Sequence, residues 1–256
     1  MSKITVMAHL VAGYPSAEIC LSAAQGLAEG GVSYFEIQFP FSDPSADGKS
    51  IQTACAEVLS HGYSLLEGFA FVAKLRNEYP HIPVFIMTYA NLAYKTGIAE
   101  FVKRATEAGA AGLIIPDLPF DSDEGLNDCC IEKGLFSVPV AAPSMTEERI
   151  KALISLNRPF VYAALRAGIT GSSTIIDSET LKFVHSLSSE TSQQKCKILG
   201  GFGIRTGEQA SALAKSVHAV VAGSVFVDII SEHYPEGGET VRKAVREKAK
   251  ELSQNY

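Results

Sequence analysis

The first residue in this sequence with a chemical question attached is a carboxylate among apolar neighbours. Glu36 stands in Tyr34-Phe35-Glu36-Ile37, where an ion is costly unless it is partnered. It is either a buried glutamate paired with a backbone donor or a cation, or an acid/base whose protonation state is set by its surroundings. The stretch that follows, Phe39 to Ser50, holds two prolines, two aspartates (Asp43 and Asp47) and a glycine. Aspartates favour such loops for local hydrogen-bonding reasons alone, so composition leaves their role open. Two glycine runs point to a different chemistry. Gly200-Gly201-Phe202-Gly203-Ile204 follows one apolar run, and Ala222-Gly223-Ser224 follows another and opens the helical stretch Val225–Ile230. Glycines let backbone N–H groups approach an anion, and a helix N-terminus adds a favourable dipole, so the pair reads as a phosphate cradle. Arg166-Ala167-Gly168-Ile169-Thr170-Gly171 is placed to close over the same ligand. Neither a His-Glu-x-x-His pattern nor a Walker loop occurs, and the six dispersed histidines suggest no metal. Lys49 and Lys95 lie in polar sequence and read as solvated surface lysines rather than Schiff-base nucleophiles.

Short apolar β-rich runs alternate with helical stretches along the whole chain, the pattern of parallel βα units. The expected strands are Val6–Val11, Tyr34–Gln38, Val84–Thr88, Gly112–Ile115, Phe136–Val140, Phe160–Leu165, Lys197–Leu199 and Ala219–Ala222. The helical stretches are Ser16–Glu29, Leu65–Glu78, Ile98–Ala108, Asp123–Glu132, Thr146–Ser155, Ser178–Ser188, Gly207–Ala214 and Glu239–Leu252, with Ser16 and Ser178 as N-caps. Eight units in 256 residues fit a (β/α)8 TIM barrel better than a doubly wound sheet. No linker divides the chain, so residues 1–256 read as one domain, with the polar run Ser186–Lys195 as a surface loop. In such a barrel, Glu36 and both glycine runs fall at carboxyl ends of strands, where barrels place their chemistry.

Composition narrows the partners. The net charge is −6, from 22 basic against 28 acidic residues, which argues against nucleic acid or an anionic membrane. Five scattered cysteines form no C-x-x-C pair and read as small hydrophobes. Neither a membrane span nor a secretory apolar stretch is seen, so a cytoplasmic location is expected.

Glu36-Ile37, Pro40-Phe41-Ser42-Asp43-Pro44, Ala46-Asp47-Gly48 and Ile51-Gln52 together resemble the signature of the tryptophan synthase alpha subunit family. Ala12-Gly13-Tyr14-Pro15, Tyr89-Ala90-Asn91-Leu92, Pro116-Asp117-Leu118-Pro119, the run Arg166–Gly171, Gly201-Phe202-Gly203-Ile204 and Gly223-Ser224 fall in the family's order. The resemblance implies a TIM barrel that cleaves indole-3-glycerol phosphate to indole and glyceraldehyde 3-phosphate. It implies no cofactor in this chain, and an alpha2beta2 heterotetramer with a beta subunit that carries pyridoxal phosphate. By matching position, Glu36 is the general acid/base, Asp47 the second catalytic carboxylate and Tyr162 the active-site tyrosine. Gly203, Gly223 and Ser224 are the phosphate donors, and Thr170 with Gly171 belongs to the closing loop that orders Asp47. Asp43, Pro44 and Asn91 meet the beta subunit. The chemistry asks for both carboxylates: C3 of the indole must be protonated, the cation so formed must be stabilised at the ring N–H, and the glycerol hydroxyl must then lose its proton.

The chain departs from the family pattern around this one pocket. Gln38 and Phe39 replace a glycine and a small aliphatic residue, Ser45 a leucine, and Lys49 a proline; His9 stands where an aromatic or aliphatic residue is expected. The stretch ahead of Val6 is also shorter than the family's leading helix. If the added bulk narrows the pocket, cleavage is impaired, the chain acts mainly as an allosteric activator of beta, and Gln38→Gly with Phe39→Val raises activity.

Overall fold

The computed structural model describes residues 3–165, 178–191, 196–201 and 203–254. Nine parallel strands form one sheet: β1 (Val6–Val11), β2 (Tyr34–Gln38), β3 (Val84–Met87), β4 (Gly112–Ile114), β5 (Phe136–Val138), β6 (Val140–Ala141), β7 (Phe160–Ala164), β8 (Lys197–Gly201) and β9 (Ala219–Ala222). Their hydrogen-bonded order is β5-β4-β3-β2-β1-β9-β8-β7-β6, so the two ends of the ladder are consecutive in the chain. The fifth expected strand is therefore broken in two at Pro139, whose missing N–H cannot join a ladder. Its carbonyl still accepts from the Tyr162 N–H at 2.9 Å. This is the eightfold TIM barrel with one interrupted stave.

Strand alternation sorts the side chains into two shells. Val6, Ala8 and Leu10 of β1, and Phe35 and Ile37 of β2, pack outward against the helices. Met7, Phe85, Met87, Val138, Phe160, Tyr162, Leu199 and Val221 fill the interior. At the amino ends of the strands the interior is closed by rings meeting edge to face, Tyr34–Phe85 at 5.9 Å and Phe85–Phe160 at 5.3 Å between centroids. The Tyr34 hydroxyl is 2.9 Å from His218 Nε2. Aromatic pairs of this geometry add stability beyond the area they bury.

The helices begin where their caps dictate. Ser16 and Thr146 each accept from the backbone N–H three residues on, at 3.3 Å. Ser64 with Glu67, and Thr206 with Gln209, form reciprocal capping boxes. Ser178 is the first helical residue, one place inside the expected cap, and its helix runs on to Thr191. Ser186 to Thr191 is thus helix, not the start of a loop; Leu187 and Thr191 are buried on its inner face. Helices Lys49–Ser60 and Ala90–Thr96 were not expected from periodicity. The first opens from the loop after β2, whose aspartates and prolines dominate the local signal, and the second follows the end of β3 after only two residues and is only seven residues long. No described helix is long and apolar enough to cross a membrane, and all five cysteines are free thiols.

Candidate active site

The interior face of β2 supplies Tyr34, Glu36 and Gln38 in ascending order, and the parallel register pairs His9 of β1 directly with Glu36. The two side chains therefore stand side by side, His9 Nδ1 2.7 Å from Glu36 Oε2, both almost fully buried. The glutamate is partnered, as burial requires. The partner is a histidine that composition and spacing gave no reason to link to it.

Asp47 is also buried, at 3% exposure, although its loop lies at the surface. Three bonds pull it in. The Gln38 amide and the Tyr89 hydroxyl both donate to Oδ2 at 2.7 Å, and the Asp47 N–H donates to the Pro44 carbonyl at 3.0 Å. Gln52 adds a bond from its amide to the Asp47 carbonyl at 2.8 Å, while Tyr89 accepts from the Ala46 N–H and stacks on Phe41. Burial pushes the Asp47 carboxyl above the usual aspartate range. His9 and the bonds from Tyr89 and Gln38 pull it down in part, and Glu36 pushes it up. The mutual influence of Glu36 and Asp47 puts the two carboxylates in one electrostatic environment.

His9, Glu36, Asp47 and Tyr162 line a single cavity at the carboxyl ends of the strands. Met87, Ile114, Val140 and Val221 give it apolar walls, and Gly203, Gly223 and Ser224 form one side of its mouth. Tyr162 is held neutral: burial first, then Glu36 and Asp47, drive its hydroxyl far above the ordinary tyrosine range. Gly201 makes room for it, since an added Cβ there would overlap the Tyr162 hydroxyl. Gly203 adopts φ +83°, a conformation a side chain would strain. Gly223 precedes the helix Ser224–His233, so the cavity mouth meets a helix N-terminus.

The expected residues thus divide plainly. Glu36, Asp47, Tyr162, Gly203, Gly223 and Ser224 come together, whereas Thr170 and Gly171 lie outside the described residues. Asp43 and Asn91 are exposed at the rim; Pro44 is buried and fixes the loop through its carbonyl. Lys49 and Lys95 are exposed, as their polar setting predicts. His9 is the one departure from the family pattern that lines the cavity. Phe39 points the other way, into a cluster with Phe69 and Phe101 behind the sheet, and Ser45 and Lys49 face solvent. Gln38 does not narrow the pocket; it holds Asp47. Gln38→Gly should therefore lower kcat about tenfold, the order expected when a reacting group loses its positioning, and move the Asp47 titration further up. Indole release measured across pH checks both, and a rate increase would restore the steric reading.

Sequence reasoning missed Tyr89 as an Asp47 partner, and it missed Arg205. The Arg205 guanidinium sits 3.4 Å from the Ser224 hydroxyl and 2.7 Å from Asp228, bringing a partly neutralised cation to the glycine mouth. Its signal in the sequence is a cation directly after the glycine run, in Gly203-Ile204-Arg205.

Fold and site define a class, a (β/α)8-barrel enzyme with acid–base groups at the carboxyl ends of its strands. The model of the tryptophan synthase alpha chain family matches residues 2–256. The chain is 41% identical over 238 residues to the tryptophan synthase alpha chain of Helicobacter hepaticus, spanning 90% of this chain and 87% of that one. To the Methanosarcina mazei alpha chain it is 35% identical over 248 residues, with 96% and 87% covered. A crystal structure of the tryptophan synthase complex of Pyrococcus furiosus superposes with a TM-score of 0.85 at 30% identity, over 98% of this chain and 99% of that one. The Mycobacterium tuberculosis tryptophan synthase structure gives 0.84 at 28%, over 98% and 93%. This chain belongs to the tryptophan synthase alpha chain family. It is a carbon–carbon lyase of the alpha reaction, the cleavage of indole-3-glycerol phosphate, and the family works without a cofactor of its own.

Proposed function

We propose that Glu36 and Asp47 divide the cleavage between them, with the substrate's indole held among the apolar walls and its phosphate at the glycine mouth. Convergence of two buried carboxylates and the Gly203–Gly223–Ser224 mouth on one cavity supports this reading most directly. Glu36 protonates C3 of the indole. Asp47 stabilises the cation through the ring N–H, using Oδ1, since Gln38 and Tyr89 both bind Oδ2. Tyr162, held as the neutral phenol, bounds the ring pocket. The backbone N–H groups at Gly203, Gly223 and Ser224 take the phosphate, with the helix dipole behind them. Thr170 and Gly171 close over it, the role the family assigns to their loop.

Arg205 strengthens that grip from the rim. Arg205→Ala should raise KM about tenfold with kcat little changed, a loss of roughly 1.4 kcal/mol of uniform binding. Steady-state kinetics reads the split; a fall in kcat at constant KM would place Arg205 elsewhere in the mechanism.

The partner is a tryptophan synthase beta subunit bearing pyridoxal phosphate, in an alpha2beta2 assembly docked at Asp43 and Asn91, with Pro44 shaping the loop between surface and cavity. The impaired-activator reading loses its physical support, because neither Gln38 nor Phe39 obstructs the cavity. Gel filtration with the cognate beta subunit, and indole release with and without it, test both points. No co-elution would remove the partner.

A further inference from the structure

We propose that in this chain the base half of the cleavage belongs to His9: its Nε2 takes the proton from the glycerol hydroxyl, while Glu36 supplies the proton to the ring. The inference rests on the reading of Glu36 above and divides its work. Three observations carry it. His9 is 3% exposed and lines the same cavity as Glu36 and Asp47. Its Nδ1 is committed to Glu36 Oε2 at 2.7 Å. Its Nε2 is buried with no hydrogen-bond partner among the described residues. A buried ring nitrogen left unmatched is costly unless a ligand completes it.

The proposal assigns one tautomer to the pair. With Nδ1–H donating to the carboxyl oxygen Oε2, Nε2 carries a lone pair and is an acceptor. Glu36 then holds its transferable proton on Oε1. In the first step Oε1 gives that proton to C3 of the indole, leaving a carboxylate that the Nδ1–H bond stabilises. In the second, Nε2 takes the hydroxyl proton. The O–H electron pair becomes the carbonyl of glyceraldehyde 3-phosphate, the C3 to side-chain bond breaks, and its electrons restore the indole ring. The His9–Glu36 pair ends with as many protons as it began with, one now on Nε2 instead of Oε1, and product release lets it return. No co-reactant is needed. Separate groups for the two transfers spare Glu36 from serving as acid and then as base on opposite sides of one bond.

Steady-state indole release from indole-3-glycerol phosphate by the full-length chain, for wild type, His9→Phe, His9→Asn and Glu36→Gln, tests the division. Phe removes both nitrogens, whereas Asn keeps an amide donor to Glu36 near the Nδ1 position and removes only the Nε2 acceptor. Both His9 variants should lose about a hundredfold in kcat, within the range for a lost general base, with KM moving less than about threefold. Recovery of the rate in His9→Asn would show that the ring merely orients Glu36 and would overturn the base assignment. Native kcat in His9→Phe, or a change in KM alone, would overturn it as well. If His9→Phe does not fold, as thermal unfolding would show, His9→Asn decides the matter. Turnover persisting in Glu36→Gln would instead bring down the underlying reading, which keeps the two failures apart.

Discussion

Glu36→Gln will release indole at no more than about a thousandth of the wild-type rate, within the span that loss of a positioned general acid produces. Gln fills nearly the same volume and can keep one bond to His9 Nδ1, so the cavity walls and the glycine mouth stay in place. Affinity for glycerol 3-phosphate, measured by calorimetry, should therefore remain within about threefold of native, since the proposed phosphate grip, backbone N–H groups with Arg205 at the rim, is left untouched. Loss of turnover together with loss of that affinity would mean that the substitution had damaged the pocket rather than the acid. Persistent turnover would remove Glu36 from the mechanism.

Asp47→Asn should cost about a hundredfold to a thousandfold in kcat, the range for removing one electrostatic contact that strengthens at the transition state. The neutral amide cannot balance the charge that C3 protonation puts on the ring, and it meets two donors where the carboxylate offered an acceptor. The pH profile gives a second readout. Because burial raises the Asp47 carboxyl, the acid limb of kcat/KM in the native chain should lie above the ordinary aspartate range near 3.9. Linkage has the matching sign: a group whose folded pKa is raised costs stability as pH climbs from its unfolded toward its folded value. In its ionised form Asp47 is thus tolerated for function rather than for folding. Thermal unfolding of Asp47→Asn at pH 7 should show no large loss, and a collapse in melting temperature would tie the kinetic defect to the fold instead.

Much of the architecture was legible because strands buried on both faces announce themselves as apolar runs. Val6–Val11, Tyr34–Gln38 and Ala219–Ala222 have the expected ends. The broken fifth strand was harder, although Pro139 was in view, because the residues on both sides of it are β-formers and periodicity does not register one missing donor. Glu36 was legible as a charge in the wrong company. Its pairing with His9 was not, since 27 residues separate the two and only the parallel register makes them neighbours. The bulk added by Gln38 and Phe39 misled for a related reason. Adjacent residues on a strand face opposite sides, so Phe39 points away from the pocket, and Gln38 stays behind its wall as a donor to Asp47. The surface loop that delivers Asp47 inward depends on Tyr89, a contact across 42 residues of chain with no local signature.

The aromatic floor formed by Tyr34, Phe85 and Phe160 makes the barrel a cul-de-sac. A flat, nonpolar fragment freed beneath the loops cannot drain through the base of the barrel, because those rings occupy it. Both halves of the severed molecule must depart past the rim by which the whole one arrived, and any second protein that caps this rim also controls their exit.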